Sequence, residues 1–187
     1  QSVGATLGQL SLDQTIRAGL IGSVIILIFM IAMFRVPGLI ASFCLIVHTW
    51  LVLAIFYLGG FVLTLPGIAA FVLGIGMAVD ANIITYERIK EEIKSGKTIR
   101  SSVIAGSKAS FRTVMDANIT TIIAAAVMFG LGTGSVRGFA LVLIVDIVVS
   151  ILTNIFFSRF LLNLLVKADA VKKAKYFGVK ESDISAL

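Results

Sequence analysis

The sequence predicts an all-α integral membrane protein, a five-helix transmembrane bundle. Three observations carry that reading. First, 58% of the 187 residues are hydrophobic and only 14% are charged, where a soluble domain has roughly 25% charged residues. Mean hydropathy is +1.06. Second, the apolar residues fall in runs of about 18 to 24 without period-2 alternation, the length of a membrane-crossing helix rather than of a barrel strand. Third, the net charge of +6 is segregated. Basic residues gather at Arg88 to Arg112 and at Arg159 to Lys180, and Gly59 to Leu65 carries none. In hydrocarbon every backbone polar group must be satisfied within the span, which requires helices once a barrel is excluded.

The elements follow in order. Residues 1–15 are polar and bear glycines, an extramembrane segment in which Ser11-Leu12-Asp13-Gln14 resembles a capping box. The chain opens at Gln1 without an initiator Met and reads as part of something longer. A first span over 17–35 closes at Arg35. Val36-Pro37-Gly38 reads as a tight turn, with Pro37 suited to the first turn of the next helix. A second span over 38–58 is broken by Gly59 and Gly60. The third covers 66–87. The stretch 88–112 is charged, with Ile89, Ile93, Ile99, Val103 and Ile104 spaced for one helical face. It predicts a helical extension, a turn at Ser95-Gly96, and a short amphipathic helix on the membrane surface. A fourth span over 113–131 leads through the Gly-rich turn 130–138 to a fifth over 139–162. The transmembrane domain thus occupies 16–165, and 166–187 is a basic tail.

Charge also sets the orientation. Cytoplasmic loops are enriched in Lys and Arg, which assigns Arg35, the 88–112 segment and the tail to the cytoplasm. The N-terminal segment, 59–64 and 130–138 then lie outside. Basic clusters placed this way mark a membrane surface rather than a nucleic-acid partner.

Acids within spans are the candidate chemistry. A charge in hydrocarbon costs several kcal/mol by roughly any scale, so such residues face a bundle interior or a water-filled path. Asp80 is deep in the third span, and the first solvated charges after it are Glu87 and Arg88. Asp116 lies one turn after Arg112 in the fourth span, at roughly comparable depth on an adjacent helix. Small residues on both spans, among them Gly74, Ala78, Ala117 and Thr121, permit close approach. Asp80, Asp116 and the amides Asn82 and Asn118 can then form one polar layer that loads and releases protons. Asp146, with Ser150 and Thr153 on its face, is a third intramembrane acid, and His48 lies mid-membrane on the second span. These two are secondary candidates for a proton path; the structural readings are a paired polar face for Asp146 and a packing role for His48.

Other chemistries fit poorly. Cys44 and His48 at i, i+4 have no further Cys or His to complete a metal sphere. The lone Cys44 excludes a disulfide framework. Gly74-Ile75-Gly76 has neither the preceding soluble strand nor the Lys-Ser/Thr of a phosphate loop. No Ser–His–Asp or Cys–His set is arranged for nucleophilic catalysis, and an intramembrane hydrolase using Asp80 and Asp116 remains a formal rival. No cofactor is expected beyond the proton itself.

Two stretches carry a family resemblance. LTLPGIAAFVLGIGMAVDANIITYERIKEE (Leu63 to Glu92) and DANITTIIAAAVMFGLGTGSVRGFA (Asp116 to Ala140) closely resemble the SecD protein-export subunits of the RND superfamily. SVGATLG at the start and RVPGLIA (Arg35 to Ala41) fit the same pattern, and the likeness runs to about Leu165. KYFGVKESDI resembles the linker that joins SecD to SecF in fused proteins. The resemblance implies a non-enzymatic subunit of the bacterial cytoplasmic membrane. It would work beside the SecYEG channel with a SecF half, preproteins, YidC and lipid as partners, using the proton gradient to assist export. It implies a missing first span and extracytoplasmic domain. Asp80 of VDAN is then the proton-handling carboxylate, and Asp116, Asn118 and Thr121 line its path. Arg137 falls in the outer turn motif. His48 and Asp146 stand where the family is expected to have an uncharged amide and a small residue. The alternative reading is an RND-type transporter of lipids or small molecules.

Overall fold

A computed structural model describes residues 2–61, 64–168, 171, 174–179 and 184, with side chains from residue 10 onward. Five helical spans cross the bundle. Helix α1 is Ser2–Phe34, α2 Val36–Leu58, α3 Leu65–Lys94 and α4 Ile99–Leu131. The last span is built of α5 Ser135–Ser150, a π-helical segment Ile151–Phe157 and α6 Ser158–Lys167. A short 3₁₀ turn, Ala174–Phe177, follows. The opening Gln1 and half of the basic tail, including 180–183 of the linker-like stretch, lie outside the described residues.

Local chemistry explains the breaks. Arg35 turns the chain between α1 and α2 in a single residue at φ 51°, and its guanidinium donates to the Lys175 carbonyl at 2.9 Å. The corner is therefore one residue earlier than the Val36-Pro37-Gly38 turn the sequence suggests, and Pro37 sits in the first turn of α2. Thr64 caps α3, its hydroxyl accepting from the Gly67 N–H at 3.2 Å; Thr98 caps α4 in the same way through the Ser101 N–H at 3.3 Å. Ser11 caps nothing. The helix runs through it, and its carbonyl accepts from Thr15 Oγ1.

The separate amphipathic surface helix is corrected. The turn at Ser95-Gly96 forms as read, but α4 then continues from Ile99 to Leu131 without interruption. The apolar face of 99–110 packs on the C-terminal end of α3 instead of on lipid. Val103 and Ile89 share the main core cluster, and a Cβ on Gly106 would stand 2.7 Å from the Ile89 backbone nitrogen. That close approach joins α3 and α4 into a helical hairpin.

Helix α3 is the axis of the bundle. It packs against α1, α2, α4, α5 and the π-helical segment. Its inner face, with Ala70, Gly74, Ala78 and Asn82, is buried; Asp80 is not. α1 and α4 are the least enclosed spans, with 11% of the apolar window of each buried. Lipid or another protein must cover the rest.

Candidate functional site

Asp80 sits in α3 where two clefts meet. On one side a cavity of about 110 Å³ lies between α3, α4 and the last span. Asp80, Asn118 and Thr121 give it polar walls, with Met77, Ile84 and Ile147 as apolar ones. The space has room for several waters. On the other side an apolar groove of about 280 Å³ brings Asp80 beside Ile26 and Phe29 of α1. Small neighbours open these clefts: Gly76 precedes Asp80 by one turn, and a Cβ there would meet nothing.

The α4 wall is held by its own backbone. The Asn118 amide donates to the Val114 carbonyl at 2.7 Å, and the Thr121 hydroxyl to the Ala117 carbonyl at 3.0 Å. Their side-chain oxygens are left as acceptors toward the cavity. A protonated carboxyl or a water is a suitable donor to them.

The predicted single polar layer is divided. Asn82, two residues from Asp80, faces the opposite way. It is buried and donates to Asn154 Oδ1 at 3.2 Å. Asp116 is exposed on α4 and does not line the Asp80 cavity. Its backbone carbonyl accepts from Thr120. Of the residues singled out in sequence, the structure thus groups Asp80, Asn118 and Thr121, and sends Asn82 and Asp116 elsewhere.

His48 and Asp146 are brought together across 98 residues of sequence. Imidazole Nε2 and carboxylate Oδ1 are 3.2 Å apart, and the two side chains are 0% and 1% exposed. His48 therefore has a specific partner on another helix. Asp146, read as locally paired, is paired at long range. Asn154 is a residue that sequence reasoning missed, although an amide in an apolar run was a signal. A cluster toward the C-terminal end of α3 was missed too: Tyr86 and Ser158 hydroxyls meet at 2.9 Å, Ser110 donates to Thr85, and Arg159 donates to Ser110. Among the described residues no three His, Cys, Asp or Glu side chains gather as a metal site.

The family model for protein export membrane protein SecD/SecF, C-terminal, matches residues 1–168. The chain belongs to the SecD/SecF family. Over 184 residues it is 55% identical to the protein translocase subunit SecDF of Bacillus subtilis, a match spanning 98% of this chain and 25% of that one. It is 51% identical over 179 residues to the SecD subunit of Alicyclobacillus acidocaldarius, covering 95% of this chain and 41% of the relative. The crystal structure of SecDF from Thermus thermophilus, titled a translocon-associated membrane protein, superposes with a TM-score of 0.84. It is 41% identical, over 89% of this chain and 23% of that one. The chain therefore spans between 23% and 41% of the length of these SecD and SecDF relatives. A multi-pass, five-span, all-α membrane fold of the SecD/SecF type is the result.

Proposed function

We propose that the chain is the membrane-embedded part of a Sec export subunit that uses the proton gradient to assist preprotein translocation. The observation that carries the reading is Asp80, an acid in the middle of a span facing a cavity whose other polar walls are Asn118 and Thr121. A carboxyl in such a place binds a proton on one side of a cycle and releases it on the other. Asn118 and Thr121 hold the proton-bearing carboxyl or a relay water in line. Asp116, outside the cavity, acts nearer the cytoplasmic mouth of the path. The proton is the coupling ion, no other cofactor takes part, and the role is not enzymatic. Relatives named as translocase subunits support export over transport of lipids or small molecules.

The exposed faces of α3 and α4 support a partner that completes the path. A SecF-like half, fused or separate, is the partner of choice, in assembly with SecYEG and, through it, YidC. The segregated basic residues support a cytoplasmic membrane location with the N-terminal end outside and the C-terminal end in the cytoplasm.

Vesicles carrying the intact protein and its channel test this. Asp80→Asn is expected to insert normally and to lose the gradient-dependent part of preprotein export. Export that still responds fully to the gradient in that variant would remove the proposal.

A further inference from the structure

The His48–Asp146 pair is sealed on all sides. α2 contributes His48 and, one turn earlier, Cys44, which is turned toward Ser158 and Tyr86. α3 contributes Gly74, where any added methyl group would overlap the Asp146 carboxylate. α4 meets this part of α5 through apolar contacts of Ala125 with Leu143 and Ile147. The π-helical segment contributes Thr153 and Asn154, which do not titrate. His48 is the titratable neighbour of Asp146, and Asp80 lies on the other side of α3.

Donors and acceptors fix where the hydrogens are. The Thr153 hydroxyl is 2.9 Å from the Val149 carbonyl and donates to it. A hydroxyl has one hydrogen, so Thr153 Oγ1 is an acceptor toward its other neighbours. One is the Asn154 amide at 3.1 Å, and the other is His48 Nδ1 at 3.4 Å. With Thr153 donating to Val149, the hydrogen of the Thr153–His48 contact belongs to Nδ1. That leaves Nε2 facing Asp146 Oδ1. If neither atom bore a proton, two lone pairs would oppose each other at 3.2 Å in a dry core, beside a carboxylate whose Oδ2 has no partner among the described residues. One proton on the Nε2···Oδ1 contact resolves this. Imidazolium with carboxylate, and imidazole with carboxylic acid, are two descriptions of that one-proton pair, and both are net neutral.

We propose that His48 and Asp146 form a closed proton-binding site that holds one shared proton and, by staying neutral, clasps α2 to α5 over the Gly74 notch of α3. The clasp continues through Thr153 and Asn154 to Asn82. It fixes the inner face of α3 and leaves the Asp80 face free. Adding or removing a proton would place a net charge in the core without a counter-charge, which the dry surroundings oppose.

Nitrogen-15 NMR of the intact protein in vesicles, with histidine labelled and the His48 signal assigned by its disappearance in His48→Gln, tests the site. The expected result is a protonated Nδ1 and an Nε2 that bears or shares a proton. In Asp146→Asn the shared proton leaves with the carboxylate. The Nε2 signal is then expected to move to that of an unprotonated acceptor of the new amide, while Nδ1 stays protonated. An unprotonated Nδ1, an Nε2 that neither bears nor shares a proton, or an Nε2 signal indifferent to Asp146→Asn would each overturn the proposal. The unsubstituted protein decides the first two, so the outcome does not hang on whether a variant folds.

Discussion

Asp80 and Asp146 are both carboxylic acids near the middle of apolar helices, and the fold treats them in opposite ways. Asp146 is enclosed, has a histidine 3.2 Å away, and occupies a notch cut by the absence of a side chain at Gly74. Among the described residues Asp80 has no such partner. It faces a cavity and a groove, with small residues that open space rather than fill it. An acid paired within the protein serves packing. An acid left facing space is available to protons and water. Depth along the helix, which is what sequence reveals, does not separate the two cases; the azimuth on the helix and the chemistry of the neighbour do.

The comparison can be broken or sharpened by substitution. The largest effect is expected at Asp80: with asparagine the gradient-dependent component of export disappears while the amount of inserted protein is unchanged, measured by protease protection of a preprotein in energised vesicles. Next is Asp146→Leu, which leaves His48 Nε2 buried and unpaired. Stranding a buried polar group costs about 1 to 3 kcal/mol, so the thermal midpoint in detergent falls. No change in midpoint would mean that the pair does not hold the helices together. Gly74→Ala forces the Asp146 carboxylate aside and is expected to cost about 1 to 3 kcal/mol by overpacking. Its effect should be less than additive with Asp146→Leu, since the two act on one contact. Thr121→Val removes a cavity acceptor without changing the shape of the wall. Export is expected to slow a few-fold while the midpoint holds, and the reverse pattern would assign Thr121 to packing. Smallest is Asp116→Asn, because Asp116 lies outside the cavity. A loss as complete as that of Asp80→Asn would restore the single polar layer.

Much of the fold was legible. Long apolar runs, proline and glycine punctuation and segregated charge specify five helices, because the membrane permits little else. The single-residue corner at Arg35 and the continuous α4 were not legible. The first depends on one positive φ and a contact with residue 175. The second depends on Gly106 admitting Ile89, which turns an amphipathic face from lipid to protein. At the site, Asp80, Asn118 and Thr121 were readable as intramembrane polar residues on two helices that pack. That Asn82 turns away is a consequence of its position about 200° around the helix from Asp80. The His48 partnership was hidden because its two halves are 98 residues apart. The register that presents Thr153 and Asn154 comes from a π-helical segment that no local pattern announces.

The contrast between the two acids is tested most directly by measuring gradient-driven preprotein export in Asp80→Asn and Asp146→Asn side by side, at matched levels of inserted protein. An asparagine at 146 can still bond His48, whereas one at 80 cannot carry a proton. The account predicts loss of the gradient response in the first variant and retention of at least half of it in the second. Equal loss in both, or loss at Asp146 alone, would contradict it.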